Sequence, residues 1–313
     1  MKTCSVFLNG ASGTTGLNIY NRLSSREDLS LIVLPDDRRK DPACVKDAMD
    51  RSDITFLCLP DEASRQAVAM LENPDTVVID TSTAHRTAPG WTYGFPELTG
   101  LREKIRRAKR VANPGCHATG FISLVAPLTE NGLVAPDEKL TCFSLTGYSG
   151  GGKKMIAEYE SEGRDPLLDA PRQYGLSQAH KHLPEMRAMC GLTYDPVFCP
   201  VVAPFFEGME VTVPLFAGQL KGGMEDLKAL YRDYYREGMV RYDDADGENG
   251  FLSAGALAGY DSLRVSVHGN SDRILLVARF DNLGKGASGA AIQNMNIILG
   301  LPEDLGLVRE TNG

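Results

Sequence analysis

The sequence predicts an α/β protein in two parts, a doubly wound parallel sheet followed by an α+β region built on a mostly antiparallel sheet. Three observations carry that prediction. In the first half, short apolar runs alternate with segments of helical period, the pattern of strands buried on both faces by helices. A glycine-rich turn, Gly10-Ala11-Ser12-Gly13-Thr14-Thr15-Gly16, follows the first of those runs directly. In the second half the runs are longer and alternate in polarity, with fewer helices between them.

The elements follow in order. Val6-Phe7-Leu8 predicts the first strand and the glycine turn opens a helix over 15–23. Strands are expected over 31–34 and 54–59, the latter ended by Pro60, and another over 77–79. Between them, Ala63, Ala67, Val68 and Leu71 fall on one face of a helix over 62–71. A further helix opens at Cys116 and runs through the apolar stretch 121–128. Later strands are predicted over 141–145, 211–216, 263–267 and 274–278. The last strong helix, 287–299, follows the lead-in Gly284-Lys285-Gly286-Ala287-Ser288-Gly289. The chain contains no internal repeat, no low-complexity tract and no flexible linker.

Composition sets the outer limits. A chain of 313 residues is long enough for two domains. Its apolar and charged fractions are those of a globular protein, and no run approaches the roughly 18–20 apolar residues that span a bilayer. The start meets Asn9-Gly10 too early for a signal peptide and suits a strand better. Seven cysteines without CxxC spacing argue against a disulfide framework or a zinc site, and they fit a reducing cytoplasm. The formal charge of −8 argues against a nucleic-acid partner.

Within the glycine turn, Gly10, Ser12, Gly13, Thr14, Thr15 and Gly16 are candidate contacts to a dinucleotide. Strand, Gly-rich turn and helix occur in the order a Rossmann-type site requires, so that backbone N–H groups can approach a pyrophosphate at the helix N-terminus. The alternative is a glycine turn without a ligand. After the second strand come Asp36-Asp37-Arg38-Arg39-Lys40. An acidic residue there suits the ribose 2′-hydroxyl of NAD, whereas Arg38 and Arg39 suit the 2′-phosphate of NADP. Both signals are present, and three consecutive cations are also common in solvated loops.

Asn113-Pro114-Gly115-Cys116 places a thiol at a helix start, where unpaired N–H groups and the helix dipole favour the thiolate. Cys116 is therefore a candidate nucleophile; the competing reading is a small buried apolar residue. His180-Lys181-His182-Leu183-Pro184-Glu185 is the second cluster. On an extended segment His180 and His182 point to the same side, and Glu185 is close enough to orient one of them. No third ligand stands at zinc spacing, so no metal is expected. A histidine near Cys116 can take its proton and later return it.

The ordered set of the glycine turn, Ser82-Thr83-Ala84-His85-Arg86, Tyr93-Gly94-Phe95-Pro96-Glu97-Leu98, Asn113-Pro114-Gly115-Cys116, Gly147-Tyr148-Ser149-Gly150-Gly151-Gly152-Lys153-Lys154 and the histidine cluster resembles N-acetyl-gamma-glutamyl-phosphate reductase of arginine biosynthesis, in its shorter variant. The resemblance covers essentially the whole chain. His117 stands where the longer variant usually has tyrosine. The related aspartate-semialdehyde dehydrogenases share the plan and the stretch from Lys285-Gly286-Ala287 to Asn294, but usually lack the Pro-Gly before the cysteine and this histidine pair.

The resemblance implies that Cys116 forms a thioester with a small acyl phosphate, that NADPH supplies hydride, and that His182 or His180 moves protons. His182 is favoured for its spacing to Glu185. It implies a Rossmann-type NADP-binding domain of residues 1–116 and 287–313, a catalytic and dimerisation domain of 117–286, and a homodimer or homotetramer. Arg86, at the carboxyl end of the fourth strand, is the first choice for a substrate anion, with Glu185 and Lys153 as further substrate contacts. Lys153 and Lys154 are equally well read as solvated surface. Asn294 is expected at the nicotinamide by analogy with the related dehydrogenases, the alternative being a plain helix residue. Two rivals stand beside this reading: another acyl-phosphate reductase of the same fold, and a catalytically silent dinucleotide-binding regulator.

Overall fold

The structure, a computed structural model, describes residues 3–245 and 247–310. It comprises two compact units: the residues through Pro114 with Ala287–Leu307, and Gly115–Gly286 with the residues from Val308 on.

In the first unit, strands β1 (Cys4–Asn9), β2 (Leu29–Ile32), β3 (Ile54–Leu57), β4 (Val77–Asp80), β5 (Thr92–Tyr93) and β6 (Arg110–Ala112) form an all-parallel sheet of order β2-β1-β3-β4-β6-β5. Helices α1 (Thr14–Leu23), α2 (Pro42–Arg51), α3 (Asp61–Met70) and α4 (Leu101–Arg107) connect the strands. Because side chains alternate along a strand, each strand feeds two cores. Val6, Leu8, Phe56 and Ile79 pack with Ile19 and Leu23 of α1 and with Ile292 and Met295 of the last helix. Phe7, Leu57 and Val78 face the opposite way, onto Val45, Met49 and Ala67 of α2 and α3. Every residue of β3 and β4 is buried, which accounts for their continuous apolar reading.

Several predicted bounds are corrected. The second strand lies at Leu29–Ile32 instead of 31–34, because Cys4 of β1 pairs with Leu29. The third stops at Leu57 instead of continuing to 59. Helix α2 was not expected, since charged residues interrupt its buried positions Val45, Ala48 and Met49. Its start carries a local signal: Asp41 accepts from Ala43 N at 2.9 Å and Pro42 occupies the first turn. The short β5 and β6 also went unpredicted.

The second unit contains α5 (Cys116–Glu130), β7 (Thr141–Gly147), α6 (Gly152–Glu160), β8 (Arg172–Gln173), α7 (Leu183–Met189), β9 (Val197–Ala203), β10 (Met209–Phe216), α8 (Met224–Tyr234), β11 (Val240–Tyr242), β12 (Leu263–Gly269) and β13 (Arg273–Phe280). Its sheet runs β11-β12-β13-β10-β7-β9-β8 and is antiparallel except for the β11–β12 and β7–β9 pairs.

Helix α5 lies against β10 and β13. The approach is close: a Cβ at Gly120 would stand 2.4 Å from Val211 Cγ2 and 3.0 Å from Phe280 Cε1. Pro127, inside α5, has no N–H for the carbonyl of Ser123. The Tyr235 hydroxyl takes that acceptor at 2.6 Å, and the Tyr231 hydroxyl donates to Leu124 O. The proline therefore persists in the helix because a neighbouring helix supplies the missing donor. The last helix is α9 (Gly289–Ile298), entered through a π-helical turn at Gly284–Ser288. No helix among the described residues is long and apolar enough to cross a membrane.

Candidate active site

In the first unit, the glycine turn links β1 to α1. Gly10 has φ +91°, and a Cβ there would stand 2.3 Å from Cys58 O. A Cβ on Gly16 would stand 2.2 Å from Gly10 O. Those two glycines are demanded by the polypeptide itself. Gly13 differs, since its nearest neighbour would be Gly10 O at 3.5 Å, an ordinary contact. Its lack of a side chain suits a ligand approaching the start of α1, which has no side-chain cap. Thr14 Oγ1 is buried without a hydrogen-bond partner among the described residues, as befits a hydroxyl kept for a phosphate oxygen.

A cavity of about 620 Å³ opens beside this turn, lined by Gly10, Ser12, Leu34, Asp36, Arg39 and Lys40 among others. Arg39 bridges the two loops: Nη1 donates to Ser12 Oγ at 2.8 Å and Nε pairs with Asp36 Oδ1 at 2.9 Å. Arg38 is exposed and does not line the cavity, whereas Lys40 does. The orphan hydroxyl, the bare Gly13 and the cation-edged cavity fit an NAD(P)-type dinucleotide.

At the carboxyl end of β4, Asp80 is wholly buried and accepts from Ser82 N at 3.0 Å, Ser82 Oγ at 2.7 Å and His85 Nδ1 at 2.6 Å. The His85 ring stacks on Trp91 with centroids 4.0 Å apart. That turn fixes Arg86, which is buried and donates from Nε to Asn113 O at 2.9 Å and from Nη2 to Thr81 O at 3.1 Å. Asn113 is held from its other side, donating to Ala287 O at 3.0 Å. Asn294 is wholly buried, and its Nδ2 donates to Gly94 O at 2.9 Å and lies 3.3 Å from Asn113 Oδ1. Its Oδ1 has no hydrogen-bond partner among the described residues.

In the second unit, Cys116 is the first residue of α5, half-buried, behind an N-cap (Gly115) that offers no side chain. The Gly115 N–H donates to Glu185 Oε2 at 3.2 Å, tying the turn before Cys116 to α7. Gly286 backs the cysteine, since a Cβ there would stand 3.0 Å from Cys116 Cβ. The His180 and His182 rings meet edge to face at 4.7 Å, although not by the extended geometry expected. His182 is already helical, with φ −88° and ψ −12°, and it caps α7. The His182 N–H donates to His180 Nδ1 at 3.2 Å, which leaves the proton of a neutral His180 on Nε2.

His117 completes a three-histidine cluster, with its centroid 5.6 Å from both His180 and His182. Burial, helped by His180 and Lys181, pushes its imidazole down to about 3. His117 is thus a neutral ring and a poor proton acceptor near pH 7. Ser144 and Tyr174, which bond its two nitrogens, had no sequence signal, being 27 and 57 residues away. Lys153 is exposed on the first turn of α6. Among the described residues no group of three or more His, Cys, Asp or Glu side chains is placed to hold a metal ion.

Family comparisons agree with this two-part layout. Residues 5–108 match the NAD binding domain of semialdehyde dehydrogenase, and residues 116–282 match the semialdehyde dehydrogenase dimerisation domain. Aspartate semialdehyde dehydrogenase II from Vibrio cholerae, complexed with ASA, superposes with a TM-score of 0.69 at 17% identity, covering 96% of this chain and 99% of that one. The Candida albicans aspartate semialdehyde dehydrogenase, solved with NADP, gives 0.68 at 15% identity over 95% and 99%. N-acetyl-gamma-glutamyl-phosphate reductase 2 of Nostoc sp. is 43% identical, over 96% of this chain and 98% of its own length. The N-acetyl-gamma-glutamyl-phosphate reductase of Burkholderia cenocepacia is 45% identical over 94% and 97%. The chain belongs to the N-acetyl-gamma-glutamyl-phosphate reductase family, within the semialdehyde dehydrogenase fold.

Proposed function

We propose that this chain reduces N-acetyl-γ-glutamyl phosphate to N-acetylglutamate semialdehyde and phosphate, with NADPH as reductant and a thioester on Cys116 as intermediate. The observation that carries the reading is Cys116 at the uncapped start of α5, tied through Gly115 to Glu185, within a family of reductases of this name. The Cys116 thiolate attacks the acyl carbon, the bond to the phosphate oxygen breaks, and phosphate leaves with the electron pair. What the reduced nicotinamide supplies when bound is one hydride to the thioester carbonyl. N–H groups of the first turn of α5 stabilise the oxygen that becomes negative. Breaking the C–S bond then releases the aldehyde and returns the thiolate. His182 moves the proton at that oxygen and at Sγ, and His180 with Glu185 orients the substrate.

Arg39 and Lys40 at the cavity edge, with Arg38 in the same loop, support NADP over NAD, because Asp36 is already paired with Arg39. Gly10, Ser12, Gly13, Thr14, Thr15 and Gly16 cradle the pyrophosphate. Asn294 contributes its remaining acceptor, Oδ1, towards the nicotinamide amide. Arg86, braced beside the loop that leads to Cys116, takes a substrate anion, with Lys153 as an outer cation. The first unit binds the cofactor and carries Arg86, and the second carries Cys116, the histidine pair and self-association.

For self-association, Phe143, Val197, Phe216 and Leu275 share one face of the second sheet and are 39–64% exposed. An apolar sheet face of this kind supports a homodimer, or a tetramer built from it. Seven cysteines, with no disulfide among the described residues, suit a reducing cytoplasm. The test is phosphate-dependent oxidation of N-acetylglutamate semialdehyde by NADP, run beside aspartate semialdehyde. Turnover of the first and not the second is expected; preference for aspartate semialdehyde would transfer the chain to the rival reaction.

A further inference from the structure

Among the described residues, only Gln178 and Asn249 hold a positive φ without being glycine, and Gln178 stands two residues before His180. Its φ is +54°, in the left-handed region that a residue with a Cβ adopts only where neighbours hold it. Its own side chain provides the hold. Gln178 Nε2 donates to Phe198 O at 2.7 Å, and Gln178 Oε1 accepts from Phe198 N at 2.9 Å. The Gln178 N–H donates to Gly175 O at 3.0 Å, closing the turn behind it.

The sheet accounts for this pairing. Strand β8 pairs with β9 only through Arg172 and Gln173, and the Tyr174 N–H adds one bond beyond it, to Pro200 O at 3.0 Å. The chain then turns away at Gly175, where φ is +65° and a Cβ would stand 3.1 Å from Pro200 Cγ. Phe198, which lies beside Cys142 of β7 in the register, therefore meets no further residue of β8 on its other side. A primary carboxamide presents one donor and one acceptor side by side, as a strand backbone does. Gln178 takes the place of the missing strand and satisfies both backbone groups of Phe198.

The clamped residue is also the one that touches the histidines. The Phe198 ring lies edge-on to His180 at 5.1 Å and to His117 at 5.3 Å. From His180 the order passes into α7: the His182 N–H donates to His180 Nδ1 at 3.2 Å, and the Leu183 N–H donates to His180 O at 3.0 Å. Gln178 itself is exposed, so its replacement removes no core packing.

Resting on the reading of His180 as a substrate-orienting group, we propose that Gln178 is a positioning residue, whose carboxamide fastens the approach to His180 onto Phe198 and so fixes the place and tautomer of that ring. A left-handed turn alone would be served best by glycine at 178. Glutamine stands there for its amide.

The test pairs steady-state kinetics with NMR of 15N-labelled histidine rings, recorded on the free protein at pH 8. In the wild type His180 should carry its ring proton on Nε2 and show ring protons shifted by Phe198. Gln178→Gly removes the carboxamide and relaxes the backbone, whereas Gln178→Ala removes the carboxamide and keeps the Cβ. Both should mix the two His180 tautomers and return its ring protons towards free-imidazole shifts. Both should raise KM for the acyl phosphate roughly tenfold with kcat little changed, the scale of one or two lost neutral hydrogen bonds. Adding His180→Asn to either variant should raise KM no further, because Gln178 acts through that ring. If Gln178→Gly keeps the wild-type KM and His180 spectrum, only the backbone conformation matters at 178 and the proposal is overturned. A KM loss that adds in full to that of His180→Asn, or a fall in kcat and thermal stability with the His180 spectrum unmoved, overturns it as well. If wild-type protein fails to turn over the N-acetylated substrate while the His180 spectrum changes in both variants, the substrate assignment falls and the positioning role of Gln178 stands.

Discussion

Arg39→Ala separates the two nicotinamide cofactors by a contact that can be sized from the structure. A hydrogen bond to a charged group contributes about 1.5–3 kcal/mol. Two features reduce that here. The Arg39 side chain is 42% exposed, so solvent screens it, and it must exchange part of its 2.9 Å pairing with Asp36 for a phosphate. About 1–2 kcal/mol remains, which is roughly a five- to thirtyfold rise in KM for NADPH. NADH has no 2′-phosphate, so its KM should move by less than about twofold, because only the contacts to Ser12 and to the exposed Asp36 are lost. Arg38→Ala should have the smaller effect on NADPH, since Arg38 lies off the cavity wall. Asp36→Asn should tighten NADPH a few-fold by freeing Arg39 and removing a like charge. Initial rates with both cofactors at saturating acyl phosphate measure all of this. Equal losses for NADPH and NADH in Arg39→Ala, or a larger effect from Arg38→Ala, would refute the reasoning.

Three further outcomes follow from other parts of the molecule. His182→Asn should lower kcat roughly a hundredfold and flatten the pH–rate profile, whereas His180→Asn should act chiefly on KM; kinetics across pH separate them, and normal turnover in both and in the double variant would put the pair outside the chemistry. Gly13→Val should weaken cofactor binding strongly while leaving thermal stability and Cys116 alkylation near wild type, because an added Cβ makes only ordinary contacts with the polypeptide and a branched side chain blocks the pyrophosphate; a large loss of stability would show that the fold itself requires this glycine. Tyr235→Phe should cost about 1–3 kcal/mol in denaturant unfolding, since it strips the Ser123 carbonyl of the donor that replaces Pro127; an unchanged midpoint would mean that another group satisfies it.

Local signals made much of this legible in the sequence. Gly10 and Gly16 announce the cofactor turn because a single Cβ at either would strike backbone within 2.3 Å. Cys116 announces itself because Pro-Gly before a helix start is a short-range pattern, and the helix begins at that residue. The α+β half was readable as a class from its longer strands, but its order, with β10 between β13 and β7, is a matter of long-range pairing. The site was less legible where contacts cross the chain. Tyr174 meets His117 from 57 residues away, and neither flanking segment has a period or spacing that shows it. His180 and His182 were found by their proximity in sequence, yet the helical backbone at His182 depends on how α7 packs. Arg86 illustrates a different limit. Its type and position suggested an anion contact, while its bonds to Asn113 O and Thr81 O come from the tertiary fold.

The central claim is that Cys116 carries the acyl group between the loss of phosphate and the arrival of hydride. Intact-protein mass spectrometry after mixing enzyme with N-acetyl-γ-glutamyl phosphate, with NADPH withheld, tests it directly. The account predicts one N-acetylglutamyl group per chain, mapped to Cys116, removable by hydroxylamine and matched by one equivalent of released phosphate. Adding NADPH should clear the adduct and yield the aldehyde, and Cys116→Ser should show neither adduct nor turnover above about a thousandth of wild type. Full turnover by Cys116→Ser, or phosphate release with the acyl group on another residue, would contradict it.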